Sequence, residues 1–160
     1  MIILGVDPGT ATTGYGLVDY SNGKLKAIEY GCILTPAKTD LHLRLKTISE
    51  DLREIIDQFK PDVITVEQLF FCSNVKTALT VGHARGVILL AIADSNTPFS
   101  EYTPLQVKQA ISGYGKAGKK QVQEMVKIIL NLSEIPKPDD AADALAIAIC
   151  HANSHKLNSL

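Results

Sequence analysis

The chain has no tryptophan, two methionines and only 6% aromatic residues among its 160. Its core must therefore come from aliphatic side chains and alanine, which pack closely and offer few polar handles. Cysteine is scarce too: Cys32, Cys72 and Cys150 are widely spaced, with no CxxC or Cys/His pattern. That excludes a zinc framework and a disulfide scaffold, and it leaves three small reduced residues suited to a cytoplasmic protein. Neither sign of charge dominates, with 16 basic and 17 acidic residues and a net charge of -1. A uniformly basic nucleic-acid coat is excluded, so any polyanion must be met by a local patch helped by bound metal. Long apolar runs are missing as well. Met1 to Val6 has no basic flank, so it is not read as a signal peptide. Val87 to Ala93 is too short to span a bilayer, and no membrane association is expected. There is no repeat and no low-complexity tract, and residues 1–160 fit one domain with a sizeable core.

What is present is a succession of short apolar runs and amphipathic stretches. Ile2 to Val6 is continuously apolar and stops at Asp7-Pro8-Gly9, the pattern of a strand buried on both faces. Tyr15 to Tyr20 and Lys24 to Leu34 flank the turn signal Ser21-Asn22-Gly23, so residues 2–34 read as three strands joined by tight turns. Leu41, Leu45, Ile48, Leu52, Ile55, Ile56 and Phe59 recur at helical spacing, with Asp40 as the expected N-cap. Lys60-Pro61-Asp62 ends that helix, and Val63 to Val66 is a second buried strand expected parallel to the first. A long helix capped by Ser73 or Asn74 runs to about Asp94 and should be buried on more than one side. Phe99 to Tyr102 is a short strand. Thr103-Pro104-Leu105-Gln106 is a capping box with proline at the first helical position, and that helix stops at Ser112-Gly113. Further helices follow Gly118 and Pro136-Lys137-Pro138, the last reaching about Asn153. The order gives an α/β fold, a mixed sheet with helices packed on it.

Carboxylates stand where these elements begin or end. Asp7 and Glu67 close two apolar strands, the place where open α/β sheets gather ligands. Asp140 and Asp143 lie one turn apart at the start of the last helix, on one face. The helix N-terminus favours their ionised forms, and the small apolar residues that follow imply close packing. Asp139 is assigned the cap. Four acids in one cleft repel each other unless a divalent cation sits among them, so metal-assisted phosphate chemistry is the first expectation. Residues 104–127 hold Lys108, Lys116, Lys119, Lys120 and Lys127 against Glu124 alone, the main basic patch of the chain. His42, His83, His151 and His155 show no metal-ligand spacing, and the last two are expected to be solvated.

With these residues in hand, the chain resembles the RuvC Holliday-junction resolvases of bacteria. The resemblance runs almost end to end. It is carried by Gly5-Val6-Asp7-Pro8-Gly9-Thr10, Thr13-Gly14-Tyr15-Gly16, Val66-Glu67-Gln68-Leu69-Phe70, Ala84-Arg85-Gly86-Val87, Gln106-Val107-Lys108-Gln109 and Asp140-Ala141-Ala142-Asp143-Ala144-Leu145-Ala146. It implies an RNase H-like fold with a mixed five-stranded sheet flanked by helices. It also implies a homodimer that nicks two strands of like polarity at four-way junction DNA, in recombination and repair, together with a RuvA–RuvB branch-migration complex. The family's metal-binding acids fall on Asp7, Glu67, Asp140 and Asp143, which would hold Mg²⁺, two ions per subunit, with Mn²⁺ as a substitute. Lys119 matches a family lysine linked to catalysis or DNA contact. Lys108, Lys76, Lys116 and Lys120 join it as DNA contacts, and Phe70 is the aromatic expected to stack on a junction base, with Phe71 in the core. The long helix at 75–94 is the expected dimer surface.

Three other readings compete, one of them a non-enzymatic junction-binding module, against which intact acids at all four positions argue. Asp-Pro-Gly-Thr followed by Thr-Gly-Tyr-Gly also suits the phosphate-binding hairpin of actin-like ATPases, but those need two lobes and this chain holds one. A related RNase H-like nuclease acting on structured RNA would share Asp7 and an acidic pair. The basic 104–127 segment and the Glu67-Gln68-Leu69-Phe70 block favour DNA.

Overall fold

The structure, a computed structural model, describes residues 1–68 and 75–158, without the side chains of 75–77 and 156–158. Phe70, Phe71, Cys72 and the expected caps Ser73 and Asn74 lie outside the described residues, as does the side chain of Lys76. Strands β1 (Ile2–Asp7), β2 (Thr12–Ser21) and β3 (Lys24–Leu34) form an antiparallel meander. Helix α1 (Leu41–Phe59) crosses to β4 (Val63–Glu67), which pairs parallel with β1. Helix α2 (Val75–Ser95) leads to β5 (Phe99–Tyr102), parallel to β4. The mixed five-stranded sheet has the order β3-β2-β1-β4-β5. Helices α3 (Pro104–Ser112), α4 (Lys119–Ile129) and α5 (Asp139–Asn158) complete the fold.

Strand alternation divides the core in two. Leu4, Val6, Ile64 and Val66 face α1 and α2, joining Ile48, Leu52, Ile88 and Ile92. Ile3 and Val63 face the other way, into a cluster with Val107, Val122, Val126 and most of α5. By the same parity Gly5 and Asp7 in β1, and Thr65 and Glu67 in β4, belong to the α5 side.

Local signals behave as their chemistry requires at most boundaries. Thr103 and Gln106 form the reciprocal capping box at the start of α3, and Gly113 ends that helix with φ of 69°. Asp40 stands at the N-cap of α1 without a side-chain cap bond; its carbonyl accepts from Leu43 and Arg44 instead. Asp139 is the first residue of α5 rather than its cap. Helix α5 runs beyond Asn153, to Asn158.

Helix α2 departs further from expectation. Over Ala78–Ser95 it is long and apolar enough, by length and composition, to cross a membrane. In this fold it is a core helix. Ala84, Ile88, Ala91 and Ile92 are buried, Arg85 pairs with Glu101 of β5, and Asp94 pairs with Arg53 of α1. It is buried on one side only, because Leu79 and Leu90 remain 63% and 58% exposed.

The closest approach in the fold lies between α5 and the sheet. A Cβ at Gly5 would stand 2.1 Å from the Ala144 carbonyl oxygen, and one at Gly14 would stand 2.0 Å from that of Asp140. The helix therefore rests on bare backbone. Gly5→Ala should lower stability by ~1–3 kcal/mol through forced displacement of α5. Within one subunit Gly86→Ala, a helical site with nothing within 4 Å, should instead raise it by ~0.5–1 kcal/mol, and a loss in the dimer would put Gly86 at the subunit contact. Urea unfolding midpoints at unchanged slope measure both.

Candidate active site

Asp7 and Glu67 end adjacent parallel strands whose register pairs Val6 with Val66, so the two carboxylates extend from neighbouring positions on the α5 face. Asp7 pairs across to Gly14, and the missing side chain there admits the first turn of α5. That contact carries Asp140 and Asp143 to the same strand ends. The GxG alternation in β2, Gly14 and Gly16, was the available sequence signal for this docking, since interior strand glycines mark close backbone approach. Both belong to the resemblance motifs, but their packing role emerges only here.

The electrostatics follow from this convergence. Asp7 is pushed up to about 8, first by burial and then by Glu67, Asp143 and Asp140, with Lys119 opposing. Burial and Asp143 raise Glu67, while Lys108 pulls it down. Burial raises Asp143 against the opposing pull of Lys119. Burial works to lower the Lys119 ammonium, but Asp143 and Asp139 outweigh it and the pKa rises. The Lys119 Nζ stands 3.2 Å from Asp143 Oδ2 and 3.5 Å from Asp139 Oδ2. Asp139 thus serves as a lysine partner rather than a cap.

The four acids feel one another, yet among the described residues no three His, Cys, Asp or Glu side chains gather as a ready-made metal cage. The donor set is nevertheless all hard carboxylate oxygen, partly buried and short of cations. That suits Mg²⁺, which uses one or two carboxylates, waters and substrate phosphate rather than an all-protein cage. Cys32 lies beside this cluster; burial first and then Asp140 push its thiol up to about 11.

Two grooves leave the acids. One, of about 280 Å³, is lined by Glu67, Asp143, Lys108 and Lys119. The other, of about 590 Å³, opens past Asp140 between the β1–β2 loop and the start of α1. Lys119 therefore meets the acids directly and Lys108 acts on Glu67 from the lining of the same groove, whereas Lys116 and Lys120 are exposed and line neither groove. His151, expected in solvent, is half-buried behind β5: its Nδ1 lies 2.9 Å from the Tyr102 hydroxyl, and burial lowers its pKa.

Similarity to known proteins extends over nearly the whole chain. Residues 3–151 match the family model described as crossover junction endodeoxyribonuclease RuvC. A protein of that name from Desulforamulus reducens is 59% identical over 152 residues, covering 95% of this chain and 93% of its own. The structure of Thermus thermophilus RuvC superposes with a TM-score of 0.89 at 35% identity, covering 99% of this chain and 97% of that one. The T. thermophilus protein in complex with Holliday junction substrate gives 0.90 at 32%, covering 99% and 98%. The RNase H-like fold implied by the sequence motifs is the fold of this chain. Matched at such identity along almost its full length, and on the same backbone, the chain belongs to the RuvC family of crossover junction endodeoxyribonucleases.

Proposed function

We propose that this protein is a metal-dependent endonuclease that resolves four-way DNA junctions by paired hydrolytic nicks in strands of like polarity. The observation that carries the reading is the meeting of Asp7, Glu67, Asp140 and Asp143 at one end of the sheet, beside a groove floored by Lys108 and Lys119. The T. thermophilus relative bound to Holliday junction substrate supports the choice of DNA over structured RNA.

The four acids would hold divalent cations, Mg²⁺ or in its place Mn²⁺, two per subunit. Held by these carboxylates, such cations would supply Lewis-acid and charge-neutralising chemistry at a scissile phosphate. The chain's own residues do the rest. Asp7, beside Glu67, Asp143 and Asp140, would give up its proton and add its charge as a cation binds. Lys119, anchored by Asp143 and Asp139, places a fixed ammonium where phosphate charge must be offset. Lys108 lies across the groove from it and orients the incoming backbone. Lys116 and Lys120 add long-range attraction to the duplex arms, with Lys76 and Phe70 assigned to junction contact on the motif resemblance alone. The products would be ligatable 5′-phosphate and 3′-hydroxyl ends.

Two nicks need two sites, hence a homodimer. The apolar face of α2, with Leu79 and Leu90 exposed, is the surface proposed to cover it. Action in the cytoplasm, with a RuvA–RuvB branch-migration complex, completes the reading.

With a synthetic mobile four-way junction and Mg²⁺, two symmetric nicks are expected. Asp7→Asn should lose cutting by at least about a hundredfold while still shifting the junction in a gel; loss of both would make Asp7 a folding residue. Lys119→Ala should lower the single-turnover rate roughly tenfold or more at an unchanged melting temperature.

Proton linkage offers a readout without substrate. The folded value of Asp7, about 8, lies above the ordinary 3.8. The unfolded chain therefore ionises first, and stability present below pH 4 is lost as pH rises towards 8. In EDTA the melting temperature should fall between pH 5 and 8, and Mg²⁺ should reverse the fall. Asp7→Asn should flatten the slope and remove most of the Mg²⁺ response.

A further inference from the structure

The second groove, the one that opens past Asp140, has no role in the account above. Its charged lining consists of Asp140 and one cation, Arg44, from the first turns of α1. Among the described residues Arg44 forms no ion pair within salt-bridge distance; its Nε donates to the Thr35 hydroxyl at 2.9 Å. Thr35 donates in turn to the Thr10 carbonyl, and the Thr10 hydroxyl donates to the Thr80 carbonyl at 2.7 Å. Thr10 and Thr35 are each only 5% exposed. A relay running from α1 through β3 and the β1–β2 loop to α2 therefore holds the root of the guanidinium. Among the described residues no bond takes its two terminal nitrogens, and Arg44 lines the groove.

A half-buried guanidinium with its root fixed and no carboxylate partner is a prepared anion site, since the planar fork matches two oxygens of one phosphate. Which anion follows from position. A strand whose scissile phosphate lies at the acids must extend on both sides of them. On the Glu67 and Asp143 side, Lys108 and Lys119 offset its charge. On the Asp140 side the next phosphate would meet a carboxylate, with Arg44 the one cation lining the groove among the described residues.

We propose that Arg44 is a DNA-binding residue that grips a backbone phosphate of the cut strand on the Asp140 side of the acids. Thr35 and Thr10 act as its positioning residues. The scissile strand thus spans both grooves, held by lysines in one and by an arginine fork in the other. The proposal rests on the junction-cleaving reading above.

The test uses the full chain as wild type, Arg44→Gln and Arg44→Lys, on synthetic four-way junctions. Some junctions carry one neutral methylphosphonate at successive positions on either side of the cut. Arg44→Gln should lower kcat/KM roughly tenfold or more. In EDTA it should reduce the slope of log affinity against log salt by about 1. Arg44→Lys should keep that slope and recover cutting only in part, because the charge stays and the fork is lost. One methylphosphonate flanking the cut should impair wild type and add little to Arg44→Gln, the non-additivity of a shared contact. The same salt slope and the same phosphate sensitivities in wild type and Arg44→Gln would reduce Arg44 to a tie between α1 and β3. Should Arg44→Gln fail to fold, the scan on wild type decides: a sensitive phosphate on one side of the cut only would overturn the site. If wild type cuts no junction at all, the nuclease reading falls first and this site with it.

Discussion

The docking of α5 onto glycine backbone is the contact on which the rest of the molecule depends. Gly5, Gly14 and Gly16 have no side chains to hold the helix away, and the alanine-rich helix has little to push back with. Helix and sheet therefore meet closer than ordinary side chains permit. That proximity brings Asp140 and Asp143, fixed to the first turn of α5, to the ends of β1 and β4. One residue of the wrong size at the interface would displace half of the acids from the other half.

Such an arrangement is costly by itself. Partly buried carboxylates lose hydration and repel one another, and the upward shift of Asp7 expresses both effects. Lys119 and Lys108 relieve only part of it. The unspent repulsion is what the proposed cations would relieve, and water and phosphate would complete their coordination where the described residues form no cage. Stability and binding are thus coupled at the same atoms.

Much of this was legible beforehand. Apolar runs ending in Asp7 and Glu67 announced strands and carboxylates together, because a buried strand needs continuous apolar residues and stops where it meets water. The helical spacing of Leu41 to Phe59 and the Thr103–Gln106 box set α1 and the start of α3 for equally local reasons. Less legible were features made by partners distant in sequence. Asp139 turned from cap to lysine partner because α4 delivers Lys119 to it. His151 went inside because Tyr102 of β5 lies beside it. Arg44 looked like one more charge on a solvated helix face until Thr35 and Thr10 closed behind it.

The sequence by itself determined where strands and helices lie, which strand faces are apolar, and that four acids stand at element ends. Period-2 and period-3.6 patterns and capping chemistry are local, so they can be read from neighbours along the chain. Only the tertiary structure decided that α2 buries one side alone, that the acids meet without forming a cage, and which cation faces which groove. Those outcomes depend on strand register and on how closely α5 can approach the sheet, and both are set by contacts between residues far apart in the chain.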